Sequence, residues 1–448
     1  MTSTIVIGGG LGGLVAARGL NAAGHDVTVV EAAERFGGQI QTVEFCGLPV
    51  DIGAEAMFLG APPLKELVTE LGLLDAVVGP RAGTSWLHRG RRLTKLPEGV
   101  GPTGPTKIMP VLKSGLLGPF ALARAGLEPL MARKISQDIS VGDFVARRFG
   151  RAVADTFVDP LLGNLHAGDI HRLSLHATAP QLRPAAAEGR SILRAARPSG
   201  GAGGLPMFAT FPQGLQLLID SLVSDLERRG VGVHANSRVT HLTRENDRWC
   251  VHATSGYQYT DRIVLTAGSP AIEELVRPHV PEAADLLAST ERATVATILL
   301  AYPRETIGRL VRDANGLLLN STSGRLVKAA TFSSQKWEHL DGDDVFVIRA
   351  SVGRAGSDVL DITDDDHLAK RVHRELAELT DLTSRPVATR VTRWPDAYPQ
   401  LQVGHLDRMA RARSALQGTG LFVGAGSVDG LGLPSVIRSA KALVDAVR

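Results

Sequence analysis

Cysteine is almost absent from this chain: Cys46 and Cys250 are the only two in 448 residues. Two thiols exclude a disulfide framework, a zinc ribbon and an iron–sulfur cluster, and they fit a reducing cytoplasm. Lysine is scarce as well, at nine positions against forty arginines, the composition of a GC-rich genome rather than a sign of a partner. A net charge of +3 gives no field of one sign, so nucleic acid is excluded as a partner. No charged leader precedes the apolar run at residues 4–7, so the chain is expected to begin at Met1 without a signal peptide. No apolar run is long enough to cross a bilayer: residues 198–219 carry no charge but are broken by glycine, proline and Gln213. Residues 114–123 are apolar but short, and they suit a greasy pocket better than a helix seated on a membrane, since Arg124 and Glu128 make no basic face. Gly-x-Ser-x-Gly, CxxC and HExxH are all missing, which leaves hydrolase and zinc chemistry without residues, and no internal repeat or heptad array occurs. What remains is a soluble globular chain about three times the usual domain length, 44% hydrophobic and 21% charged, with core enough for two or more domains.

The first sixty residues carry the strongest pattern. A strand, TIVIG, runs into Gly8-Gly9-Gly10-Leu11-Gly12-Gly13, then an apolar-periodic LVAARGLNAAG, then a second strand ending at Glu31. In this β–turn–α–β unit the spacing Gly8-x-Gly10-x-x-Gly13 gives a tight turn, a bare backbone open to a pyrophosphate and a close helix–strand contact. Glu31 is placed to accept from an adenosine ribose and to repel a 2′-phosphate, which disfavours NADP. A second glycine cluster follows more than 350 residues later: residues 421–427 (LFVGAGS) lead through Gly430-Leu431-Gly432-Leu433-Pro434 into a closing helical pattern. Two strand–turn–helix units at opposite ends of one chain are what a discontinuous nucleotide-binding domain needs, although the second could also be a glycine loop that only packs.

The stretch Glu31-Ala32-Ala33-Glu34-Arg35-Phe36-Gly37-Gly38-Gln39, continued by Val50-Asp51-Ile52-Gly53-Ala54-Glu55-Ala56, resembles the extended FAD fingerprint of the amine oxidase, phytoene desaturase and protoporphyrinogen oxidase superfamily. That resemblance implies FAD as cofactor, a loop wrapping the pyrophosphate, and Gly53 close to the flavin. Arg35 would neutralise the diphosphate, or stand as a solvated surface charge. Gly426, Leu431, Gly432 and Leu433 would meet the ribityl chain and the flavin N1–C2=O end, where a helix dipole stabilises negative charge. Val239 is the candidate for a backbone contact to adenine, and fits a buried strand valine as well. Trp394 completes the cofactor-binding set.

Further motifs resemble the soluble, actinobacterial-type coproporphyrinogen III and protoporphyrinogen oxidases along nearly the whole chain. They are Leu96-Pro97-Glu98-Gly99 with Gly104-Pro105-Thr106, residues 155–169 (DTFVDPLLGNLHAGD) with Leu173-Ser174, and Glu188-Gly189-Arg190-Ser191-Ile192. Residues 328–337 (KAATFSSQKW), 349–354 (RASVGR), Arg393-Trp394 with Pro399-Gln400, and Gly404-His405 complete the set. The resemblance implies an α/β fold: a discontinuous Rossmann-type FAD-binding domain from 1–80, 215–270 and 391–448, a mixed-sheet substrate domain from 81–95, 196–214 and 271–390, and a helical insertion at 96–195. Residues 198–206 read as a flexible connector. The implied activity is FAD-dependent oxidation of coproporphyrinogen III to coproporphyrin III, removing six electrons to O2 with H2O2 released, in heme biosynthesis. Protoporphyrinogen IX oxidation, a related flavin amine oxidase or desaturase, and a silent tetrapyrrole-binding paralogue are the alternatives.

No nucleophile and no metal ligand is assigned, because a flavin can take hydride from a porphyrinogen without one. Amine oxidases of the superfamily hold a lysine near the flavin on a central strand; the strand aligned there, 292–301 (RATVATILLA), has none. His405 is expected to be a hydrogen-bonded structural residue. Ser85 stands where the family often has a carboxylate-gripping base, with Arg91 as a nearby substitute, and Asn164-Leu165-His166-Ala167-Gly168 replaces the common Gly-Val-Tyr-Ala-Gly. Ser85, Arg91, His166 and Gly168 are therefore the substrate-binding candidates. A tetrapyrrole and O2 are the expected small-molecule partners, with at most peripheral membrane contact and room for a heme-pathway enzyme partner.

Overall fold

The computed structural model describes residues 2–90, 92–194 and 205–448. Its first sheet is five-stranded and wholly parallel, in the order Gly232–His234, Asp26–Val30, Ser3–Ile7, Arg262–Leu265, Leu421–Val423. These strands are apolar on both faces because both faces are covered. Val6, Val29 and Val264 pack beneath Leu14, Leu218, Leu222, Ile437 and Leu443 of the helices Leu11–Ala22, Gln216–Arg228 and Leu433–Val447. Ile5, Ile7, Ile263 and Leu265 meet Trp249 and Val251 of a three-stranded antiparallel sheet and Ile272, Leu287 and Met409 of three further helices. The nucleotide-binding reading of both chain ends is therefore realised in one sheet.

A seven-stranded sheet forms the second layer, in the order Ala388–Pro399, Arg292–Pro303, Val345–Val352, Val327–Phe332, Gly316–Leu319, Ser85–Arg89, Arg92–Lys95. Its pairings are antiparallel except where Gly316–Leu319 runs beside Ser85–Arg89. One face is sealed by the helix Asp365–Leu379 through Leu368, Val372 and Leu376. The other presents Leu299, Ala301 and Val347 to Val50 and Ile52 of the first domain. One boundary shifts: residues 391–399, assigned on sequence to the cofactor-binding domain, remain in the mixed sheet as far as Pro399, because Val391 and Trp394 pair with Ile298 and Val295.

Residues 96–194 are mainly helical and close around Phe144, Phe149 and Phe157, with Leu87 of the mixed sheet in the same core. The motif at 188–192 serves this core. Buried Glu128 accepts from the amides of Ile192 and Leu193 and from the Ser191 hydroxyl, with Arg148 at 3.8 Å. The 114–123 segment departs from its expected place in a pocket. Leu116 and Leu117 enter the core, but Phe120 is 92% exposed, beside exposed Met109, Leu112, Leu127 and Leu130. A helix that short buries one stripe and leaves the rest outside. Among the described residues no helix is long and apolar enough to cross a membrane. The connector expected at 198–206 falls, except for Leu205 and Pro206, outside the described residues.

Candidate active site

Two helix N-termini meet at the edge of the parallel sheet. The helix Leu11–Ala22 starts at Gly10 without a side-chain cap, and the closing helix Leu433–Val447 starts at Gly432, also without one. Uncapped amides at the positive end of a helix are an anion site. Small residues let the two helices touch: a Cβ on Gly12 would stand 3.2 Å from Val436 Cγ1, and 2.4 Å from the Ala425 Cβ in the turn before the closing helix, and one on Gly19 would stand 2.7 Å from Val444 Cγ2. Gly8 has a φ of +113°, and a Cβ on Gly13 would lie 1.9 Å from the Gly8 carbonyl oxygen, so both positions exclude other residues. Around Gly10 the space is open, its nearest neighbour being the Cα of Gly38 at 4.0 Å.

Glu31 closes one end of this cradle. Its carboxylate accepts from the amides of Gly9 at 2.7 Å and Ala33 at 2.8 Å. The Glu31 and Ala33 carbonyls accept from Ser237 and Asn236, so Ala32 and the approach to Val239 border the same end. At the other end Gly53 packs so closely that a Cβ would sit 1.8 Å from the Gln39 carbonyl oxygen, with Trp394 3.5 Å away. Ala54 donates to that carbonyl, and the Gln39 side chain donates to the Ala397 carbonyl. Gly426, Leu431, Gly432 and Leu433 form the turn into the closing helix, with Gly430 against Leu401. The residues present thus suit FAD: a bare glycine floor, two uncapped helix N-termini able to receive anionic groups, and a carboxylate at the end of the second strand.

Two fingerprint residues behave differently from expectation. Arg35 spends its guanidinium on its own loop, donating to the carbonyls of Phe36, Gly38 and Ile40 and to the Gln41 amide oxygen, so it braces the loop. Glu55 turns away from the cradle into the mixed sheet, where it accepts from Thr331, Lys336, Trp337 and Arg349. Burial opposes its charge, but Lys336 and Arg349 outweigh burial and hold the carboxyl at about 2. Its side chain therefore clamps the two domains together, and Ala56 beside it packs in the shared core.

Above the cradle, residues from four distant segments converge. Tyr398 and Trp394 pack with Ala167, Ala293 and Val295. The 155–169 motif winds as a wide π-type helix with Pro160 inside it, a form that recurs at functional sites, and ends by delivering Asn164 and His166. Asn164 donates to the carbonyls of Leu319 and Lys328, tying the helical insertion to the mixed sheet. His166 is buried, burial pushes its imidazole down to about 4, and its Nδ1 has no partner among the described residues. Its carbonyl accepts from Gln400, and a Cβ at Gly168 would stand 2.1 Å from the Gln400 amide oxygen, so a larger residue there would displace that side chain. Ser85 begins its strand opposite Gly316, at the far side of the sheet from Trp394. Arg91 lies outside the described residues. His405 is buried with Nε2 2.7 Å from the Val428 carbonyl, a structural bond that holds the turn before Gly430.

Sequence reasoning missed Lys328. It is 2% exposed, with its ammonium 5.3 Å from the centre of the Tyr398 ring. Burial, then the neighbouring Arg354 and Arg349 charges, push it down to about 7. The signal was a lysine inside the apolar strand-like run LVKAATF, a place where a charge is rarely left without purpose.

Comparisons with known proteins agree with this geometry. Residues 11–447 match the model of the flavin containing amine oxidoreductase family. The coproporphyrinogen III oxidase of Mycobacterium leprae is 32% identical over 456 residues, covering 100% of this chain and 98% of its own. That of Bacillus subtilis is 30% identical over 459 residues, covering 98% and 96%. A crystal structure from Exiguobacterium sp. 255-15, provisionally named a protoporphyrinogen oxidase, superposes with a TM-score of 0.86 at 27% identity, covering 100% of this chain and 98% of that one. The chain is an FAD-dependent oxidoreductase and belongs to the flavin containing amine oxidoreductases, in the coproporphyrinogen III oxidase family.

Proposed function

We propose that this protein oxidises coproporphyrinogen III to coproporphyrin III in heme biosynthesis, with three O2 accepting six electrons and six protons to leave three H2O2. FAD, when bound, supplies the two-electron chemistry of each round. The chain's own residues bind and orient. The glycine floor and the two helix N-termini fix the coenzyme, while Trp394, Tyr398 and Val295 offer an apolar wall to a flat macrocycle. His166, neutral at physiological pH, holds no charge against that wall. The strand Arg292–Pro303 contributes no lysine, which favours hydride removal from a porphyrinogen over amine oxidation. The observation that carries the reading is the joining of two uncapped helix N-termini to this apolar wall, in a chain similar end to end to coproporphyrinogen III oxidases.

Oxidation in the cytoplasm at a membrane surface suits the exposed Met109, Leu112, Phe120 and Leu130, which would let the protein collect a greasy substrate, alone or from a heme-pathway enzyme. The deciding experiment mixes FAD-loaded protein with coproporphyrinogen III without oxygen. The flavin absorbance should bleach within seconds, and admitting air should yield three peroxides per porphyrin. A flavin that stays oxidised with coproporphyrinogen III and protoporphyrinogen IX but bleaches with amines would transfer the protein to the amine oxidases.

A further inference from the structure

The mixed sheet delivers a buried cation to the apolar wall of the site. In the strand Val327–Phe332 the pairing with Val345–Val352 slips between Val327 and Ala329, so Lys328 is the extra residue of a β-bulge. Bulges re-aim side chains and gather beside functional sites. Val327 and Ala330 both enter the core beneath the sheet. The Lys328 ammonium instead lies over Tyr398, which shares with Trp394 the cluster around Ala293 and Val295, and Trp394 in turn rests against Gly53 of the cofactor cradle.

Among the described residues no carboxylate pairs with this buried charge. Among the described residues Lys328 Nζ has neither an ion-pair partner nor a hydrogen-bond acceptor. Its charged neighbours are Arg349 and Arg354, which repel it. Arg349 is committed to Glu55 and the Gly53 carbonyl, whereas Arg354, which feels the Asp159 carboxylate and donates from Nη2 to the Leu319 carbonyl, leaves Nη1 buried without a partner among the described residues. A buried ammonium beside a half-satisfied guanidinium is costly unless an anion joins them. The tetrapyrrole proposed above carries carboxylates on an otherwise greasy disc. Resting on that reading, we propose that Lys328, with Arg354 Nη1, grips one propionate carboxylate of the substrate, fixing how the macrocycle is turned over the flavin. This assigns the anchoring role to the bulge of the mixed sheet instead of Ser85.

The test titrates air-stable coproporphyrin III, and separately its tetramethyl ester, into FAD-loaded protein, reading porphyrin fluorescence. Lys328→Met should raise the Kd for the acid at least tenfold, the loss of one charge-assisted pair. Lys328→Arg should hold it within about threefold of wild type, and the ester should bind wild type and Lys328→Met alike. If Lys328→Met lost its flavin, Arg354→Gln would take its place, with the same acid-specific weakening expected. The anchor is overturned by an unchanged Kd for the acid, by an equal loss for the ester, or by a fall in kcat with Kd unchanged. Wild-type protein that bound neither compound would instead remove the porphyrinogen reading itself.

Discussion

The floor and the roof of the site are built from different materials. The floor is backbone: Gly8, Gly10, Gly13, Gly53 and Gly432, with the amides of two helices. Its roof is side chains, Trp394, Tyr398, Asn164, His166 and Lys328, drawn from two strands and the end of a helical insertion. A coenzyme with fixed phosphates can be held by backbone donors, and those demand glycine at set spacings. A substrate must be distinguished by shape and charge, which only side chains supply.

The largest effect should follow from touching the floor. Gly13→Ala puts a Cβ 1.9 Å from the Gly8 carbonyl oxygen, backbone against backbone, where no side chain can swing aside. We expect a cost of about 3 kcal/mol and loss of nearly all bound flavin, read as the ratio of flavin to protein absorbance. A variant that kept stoichiometric flavin would break the comparison, because the floor would then tolerate what only the roof should.

Next comes the joint between them. Glu55→Gln leaves Lys336 and Arg349 without their shared carboxylate, at a cost of roughly 3–5 kcal/mol at neutral pH. The pH profile gives a second reading. A carboxyl held at about 2 in the folded state contributes stability above its ordinary titration range, and that stability drains away as pH falls toward about 2. The wild type should therefore lose stability relative to Glu55→Gln on acidification, and denaturant midpoints at several pH values would measure it. Parallel profiles for the two proteins would mean that the clamp carries no net charge energy.

Most of the floor was legible because its rules are local. Gly8 to Glu31 is one continuous β–α–β stretch, and each glycine announces its own backbone need. The closing cluster was legible for the same reason, although joining it to the first needed the fold. Glu55 was misread because it follows Gly53 in sequence, and its true partners Thr331, Lys336 and Arg349 are more than 270 residues away. Lys328 was hidden by a register slip that no propensity announces: an in-register strand would have turned it differently. The motif at 188–192 was visible but not its purpose, since Ser191 serves a buried hydrogen bond to Glu128, whereas His405 takes the structural role expected of it, bonded to the Val428 carbonyl. Resemblance marks positions, and only packing sorts them into scaffold and site.

The smallest effect should lie furthest from both walls. Phe120 is 92% exposed and contributes almost no core contact, so Phe120→Ser should shift stability by no more than about 0.5 kcal/mol and leave flavin content untouched. Its exposure has a cost in water that burial in a lipid surface would relieve, roughly 1.5–3 kcal/mol for one such side chain. If the patch at 109–130 rests on membranes, the fraction of protein that sediments with phosphatidylcholine vesicles should fall at least several-fold in Phe120→Ser, at constant stability. Equal sedimentation of variant and wild type would separate this surface from the site altogether. The helical insertion would then serve the roof by placing Asn164 and His166, and the membrane would have no part in how substrate arrives.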